Sequence, residues 1–207
     1  MMTLVEYGET FIFIALGLAS VIALAVGLER AFVFRRLSSG TAGHLVRDVT
    51  ERLRRDDREG ALEIARTSGE DVYSRFIRFA LPFYGERSNG LSDLMEGKIL
   101  EEKMGLEKRL SILNTLGNNA PFIGLLGTVL GVIKAFHGLG TLGNTGAELV
   151  MRSISSALLA TAAGLFVAIP VVMANNFFSR KVKIIVQRLE VLSREFMAGS
   201  RRNAVEG

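Results

Sequence analysis

Two kinds of pattern alternate along the chain. Three stretches are almost wholly apolar, and the remainder mixes charged and apolar residues at helical spacing. The first apolar stretch, 11–28, is interrupted only by Gly17, Ser20 and Gly27; the second covers about 116–136 and the third about 154–178. A helix crosses a bilayer with about 20 mostly apolar residues. Three spanning helices are therefore predicted, over 11–29, 112–137 and 151–178. A cleavable leader is the rival reading of the first. It is disfavoured because Glu6 and Glu9 stand where a basic segment belongs, and no small-residue cleavage site precedes Glu29 and Arg30.

Residues 30–111 are predicted to form a helical domain. Breaks at 38–43, 67–69 and 85–90 divide it into short helices near 44–66 and 71–84, followed by a longer one. In that longer helix Leu91, Met95, Ile99, Leu106, Leu110 and Leu113 recur at helical spacing, and no proline precedes Pro121. The second spanning helix is thus expected to begin deep in this domain. Beyond the third span, Val182, Ile185, Val186, Leu189, Leu192 and Phe196 mark one apolar stripe. Such a stripe suits a membrane surface. A straight continuation over 179–207 is the preferred reading, because nothing between Asn176 and Lys183 stops a helix.

Composition agrees: 49% of residues are hydrophobic and the mean hydropathy is +0.32, high for a soluble domain. With no cysteine, disulfide frameworks and thiolate metal sites are excluded together. Net charge is +4, but its placement says more. From 30 to 109 there are 16 Lys/Arg and 14 Asp/Glu, a near balance that fits solvated helix faces and no nucleic-acid partner. Residues 1–10 and 138–151 carry no basic residue. Arg30, Arg35 and Arg36 follow the first span, Lys103, Lys108 and Arg109 precede the second, and Arg180, Lys181 and Lys183 follow the third. The positive-inside rule then puts 1–10 and the loop 138–150 outside, and 30–111 and 179–207 in the cytoplasm.

The second and third spans share an unusual feature. Gly117, Gly124, Thr128, Gly131 and Ala135 lie roughly on one helical face, with Gly127 beside them. The third span repeats it with Ser153, Ala157, Ala160, Thr161, Gly164 and Ala168. In hydrocarbon no hydrophobic force drives helices together, and small residues let their backbones approach. Packing accounts for the glycines. For Thr128 and Thr161 two readings stand: a bond back to the carbonyl one turn earlier, or a place along a polar path. Pro121 and Pro170 interrupt the two helices, and Pro170 frees a carbonyl near Phe166.

Between 116 and 133, and between 153 and 178, there is no Asp, Glu, Lys, Arg or His. Lys134, His137, Glu148 and Arg152 sit at the outer rim. A protein that moves ions through a bilayer needs a group to hold the charge midway, so if this chain conducts, a partner supplies it.

The two motifs Ala120-Pro-x-x-Gly-Leu-Leu-Gly-Thr-Val-x-Gly-x-Ile133 and Ile154-Ser-Ser-Ala-Leu-Leu-Ala-Thr-Ala-Ala-Gly-Leu-Phe-Val-Ala-Ile-Pro170 closely resemble the MotA/TolQ/ExbB family of proton-channel proteins, nearest its TolQ/ExbB branch. The resemblance implies an all-α inner-membrane protein forming a homopentamer whose second and third spans line a central pore. It implies a single-span ExbD/TolR-like partner, as a dimer in that pore, carrying a membrane aspartate. It also implies coupling of proton or sodium flux to mechanical work in a TonB-, Tol- or gliding-type envelope system, without a cofactor. Thr128 and Thr161 match the family's pore threonines. Gly124, Gly127, Gly131 and Gly164, with Pro121 and Pro170, would shape the helices. Ser156 stands where TolQ/ExbB proteins usually carry a glutamate; five residues before Thr161, it is rotated about 140° from it on a helix.

Two other classes compete. A non-conducting membrane scaffold fits the same packing. An enzyme does not: neither span offers a nucleophile–base pair, and the Gly-rich run lacks the Gly-Lys-Ser/Thr ending of a phosphate loop.

Overall fold

The computed structural model describes residues 2–37, 41–55, 57–69, 71–84, 90–142 and 146–206. Of the breaks expected at 38–43 and 85–90, residues 38–40 and 85–89 fall outside the described residues, as do 143–145 of the connection after the second span; 41–43, expected within the first break, already belong to a helix. Among the described residues the regular structure is helical: α1 (Met2–Leu37), α2 (Thr41–Arg54), α3 (Arg58–Thr67), α4 (Val72–Ala80), a short 3-10 turn (Leu81–Phe83), α5 (Leu91–Glu107), α6 (Leu110–Leu142) and α7 (Gly146–Glu206). Helices long and apolar enough to cross a membrane occur at Tyr7–Arg35, Leu110–Gly140 and within Ala147–Ala198.

The chain divides into two compact units, 1–30 with 109–177, and 31–108 with 178–207. In the first unit α1, α6 and α7 each bury one narrow stripe. Ile12, Leu16, Ala19, Ala23 and Val26 are buried on α1, and Leu113, Ala120 and Ala135 on α6. Other faces remain apolar and exposed, as at Phe11, Leu18, Val21, Phe122, Val129, Leu158 and Phe166. That is the pattern of helices whose outer surroundings are themselves apolar.

Two ion pairs tie α1 to α6. Glu9 accepts from Lys134 at 2.8 Å, and Glu29 accepts from Arg109. Twenty residues of α1 separate the two carboxylates, about 30 Å at ~1.5 Å per residue, which matches the ~30 Å hydrocarbon core of a bilayer. Lys134, expected at the rim, is largely withdrawn from the surface: its side chain is 19% exposed and that of Glu9 15%.

The second unit is a helical cluster. Asp57 caps α3, accepting from the Gly60 amide at 2.9 Å; Asp71 caps α4, accepting from Ser74 at 2.6 Å. The Asp57 cap, held also by Arg52 at 2.5 Å, splits the single helix expected over 44–66 into α2 and α3. Ser68 and Gly69, the latter at φ +86, end α3 where a break was expected. Phe196 of α7 meets Phe76 and Tyr84 edge-on at 6.5 and 6.0 Å, and Phe178 stacks on Phe34 at 5.4 Å. Of the predicted stripe, Val182, Ile185, Leu189, Leu192 and Phe196 are buried and Val186 is partly buried.

The continuous helix expected from Leu91 into the second span is also interrupted. α5 and α6 are separate helices, broken at Lys108 and Arg109, where Arg109 adopts φ +67. A left-handed conformation is costly for a side chain other than glycine; here the Arg109 guanidinium meets Glu29, so the turn aims the side chain at α1. Helix also extends through 138–142 and 146–150, within the loop predicted over 138–150.

Candidate functional site

The small residues of α6 and α7 face each other at main-chain contact. A Cβ at Gly124 would fall 2.8 Å from the Ala160 carbonyl oxygen, 3.1 Å from Thr161 Cα and 3.2 Å from Gly164 Cα. One at Gly164 would fall 2.7 Å from the Ala120 oxygen and 3.0 Å from Gly124 Cα. One at Gly131 would meet Ala157 Cβ at 2.5 Å and the Ser153 oxygen at 3.0 Å, and one at Gly117 would meet Val172 at 2.8 Å. Gly117, Gly124 and Gly131 thus recur every seven residues along one seam. Gly127, read from the sequence as lying beside the stripe, belongs to the seam too: its Cβ would sit 2.5 Å from that of Ala160 and 3.5 Å from Ile12 of α1.

This approach places the two threonines at one level. Thr161 Oγ1 donates to the carbonyl of Gly124 on α6 at 3.1 Å. Thr128 Oγ1 donates to the next carbonyl, that of Leu125, at 2.6 Å within its own helix. The two hydroxyls therefore sit on successive carbonyls of α6, and each remains able to accept a hydrogen bond. Of the alternatives for these residues, Thr128 makes a local bond to the preceding turn, whereas Thr161 bridges the two helices. Ser156 is half-exposed one residue before Ala157. Pro121 is half-exposed beside Ala120, and Pro170 faces outward, apart from the seam.

A second polar group lies at the other end of the seam, and the sequence reading passed over it. Asn118 donates to Asn114 Oδ1 at 3.2 Å, Asn175 of α7 approaches the same oxygen at a long 3.5 Å, and Asn119 donates to the Thr115 carbonyl at 2.8 Å. The asparagine pairs 118–119 and 175–176 were the available signal. Together the seam offers hydroxyls, amides and main-chain carbonyls without a charged side chain between 116 and 133 or between 153 and 178. Such a wall can solvate an ion-carrying group that passes along it; it holds no carboxylate of its own with which to bind a cation.

Comparison with known proteins adds a lineage to this geometry. The MotA/TolQ/ExbB proton channel family matches residues 68–191, more than half of the chain. The Tol-Pal system protein TolQ of Pseudomonas aeruginosa is 39% identical over 109 residues, covering 53% of this chain and 47% of that protein. The putative biopolymer transport protein ExbB-like 2 of Helicobacter pylori is 40% identical over 89 residues, 43% of this chain and 59% of that protein. The biopolymer transport protein ExbB of Neisseria meningitidis is 32% identical over 198 residues, 89% of this chain and 88% of that protein. The match thus spans about half the length of the first two relatives and most of the third.

Proposed function

This chain belongs to the MotA/TolQ/ExbB proton channel family, and from that premise we propose that it is the ring-forming subunit of an ion-driven motor in the bacterial inner membrane. Five copies surround a pore lined by α6 and α7. Residues 1–10 and the connection between α6 and α7 face outward, and the second unit lies in the cytoplasm, following the basic residues that flank each span. A single-span ExbD/TolR-like partner, as a dimer, threads the ring and carries the membrane carboxyl that picks up a proton or a sodium ion. Flux turns or shifts the partner, and the work serves a TonB-, Tol- or gliding-type envelope machine. No cofactor takes part.

The observation that carries this reading is the pairing of Thr161 and Thr128 on the Gly124 and Leu125 carbonyls, inside a stretch with no charged residue. A hydroxyl both donates and accepts, so it can bond a partner carboxyl in either protonation state. Ser156, in place of the family's usual glutamate, supplies an uncharged polar group on the edge of the same face. Co-expression with an ExbD/TolR-like protein, followed by native mass spectrometry, tests the assembly. A complex of five copies with two partner chains is expected. A homomer that never retains such a partner would favour the non-conducting scaffold instead.

A further inference from the structure

Within the second unit, α1, α4 and α7 line a half-open pocket of about 200 Å³. This is room for several waters or one phosphate-sized group, since a water occupies about 30 Å³. Its lining has two halves. Phe34 and Leu37 of α1 and Ile184 of α7 give an apolar wall, while Lys181 and Arg188 of α7 and Tyr73 of α4 give a polar one. Lys181, Ile184 and Arg188 stand at positions i, i+3 and i+7, on one face of α7.

The Tyr73 hydroxyl is the informative atom. The residue is 2% exposed; the Arg188 guanidinium stands close enough to donate toward its oxygen, but among the described residues no hydrogen bond of good geometry forms and the hydroxyl proton has no acceptor. Leaving a buried hydroxyl without a partner is destabilising, so a tyrosine kept there points to an acceptor that arrives from outside. Asp71, the carboxylate whose charge acts on Tyr73, is committed to capping α4. Two cations, an orphan donor and an apolar wall together describe an anionic amphiphile. The wall comes from Phe34, inside the apolar helix stretch Tyr7–Arg35, and the cations follow the third span, Lys181 three residues and Arg188 ten residues past 178.

We propose that Tyr73, Lys181 and Arg188 bind the phosphate of an anionic phospholipid, with its glycerol and upper acyl segment against Phe34, Leu37 and Ile184. The phosphate oxygens accept from the Tyr73 hydroxyl and both cations. Inorganic phosphate shares that chemistry but leaves the apolar wall unused.

The test uses the full chain in nanodiscs of equimolar phosphatidylglycerol and phosphatidylcholine, with retained lipid counted by native mass spectrometry. Wild type is expected to retain phosphatidylglycerol in preference. Exchanging both cations, Lys181→Gln with Arg188→Gln, should lower that retention at least roughly tenfold, the effect of two basic contacts to an anionic lipid. Tyr73→Phe, which keeps the ring and hence the packing, should lower it about threefold or more. Equal retention of the two lipids, or unchanged retention in Tyr73→Phe, would overturn the site. Displacement of the lipid by millimolar inorganic phosphate would assign the cations to a free anion instead. A change of subunit number without loss of lipid would assign the face to a second copy.

Discussion

Thr161 Oγ1 reaches across from α7 to the Gly124 carbonyl of α6, 3.1 Å away. The bond exists because residue 124 has no side chain: any Cβ there would meet the α7 main chain first. Interhelical hydrogen bonds of this kind contribute about 0.6 kcal/mol in membrane proteins. Thr161→Val should therefore leave assembly intact while abolishing ion-coupled work, and Thr128→Val should do the same. Thr161→Ser, which keeps the hydroxyl, should retain activity. Native mass spectrometry reads the assembly, and partner-dependent flux in liposomes reads the work. Normal flux in the double valine variant would refute the role assigned to the hydroxyls.

Gly124→Ala should separate α6 from α7, because all three atoms nearest its new methyl are main chain and cannot turn aside. Overpacking of this sort costs about 1–3 kcal/mol. Gly17→Ala on α1 is the control. Nothing lies within 4 Å of its Cβ position, and the gain in helix propensity, up to ~1 kcal/mol, makes it neutral or stabilising. Thermal unfolding followed by circular dichroism in detergent should fall for the first and not for the second.

Sequence and structure agree most closely where spacing alone decides. The stripe from Val182 to Phe196 carried the reading of α7 beyond its span, and the helix continues through it. The break at Lys108 and Arg109 had no such signal. A positive φ is expected of glycine or asparagine, and the partner that draws Arg109 there, Glu29, is 80 residues away in the chain. The partner of Lys134 had no signal for the same reason: Glu9, which withdraws it from the surface, is 125 residues off. In the seam, composition announced close packing. Which carbonyl each threonine would choose depends on the register of two helices, and that emerged only in three dimensions.

Glu102 gives a prediction in pH. Burial opposes its charge, but Arg75, at 2.5 Å, and Lys98, at 3.3 Å, outweigh that and hold the carboxyl below its ordinary 4.5. The folded state thus binds this proton less readily than the unfolded chain. The stability it contributes is complete above the ordinary carboxylate value and is lost as pH falls through the lower, folded one. The unfolding temperature should drop as pH is taken below 4.5, and Glu102→Gln should flatten that part of the curve. An unchanged acid limb in the variant would contradict it.

Tyr84→Phe isolates a single hydrogen bond. Its hydroxyl donates to the buried Leu53 carbonyl at 2.7 Å, while its ring packs edge-on against Phe196. The variant keeps the ring contact and strands the carbonyl, which should cost about 1–2 kcal/mol by chemical denaturation. A loss well below that would show that water already reaches Leu53.

The most direct measurement compares ion flux in sealed liposomes holding the ring alone with flux in liposomes holding the ring and its single-span partner, under the same imposed gradient. Because α6 and α7 bring no charged residue into the seam, the ring alone should be silent and the complex should conduct. Gradient-driven current through the ring by itself would contradict the account, since the moving ion would then need no carboxyl from a second molecule.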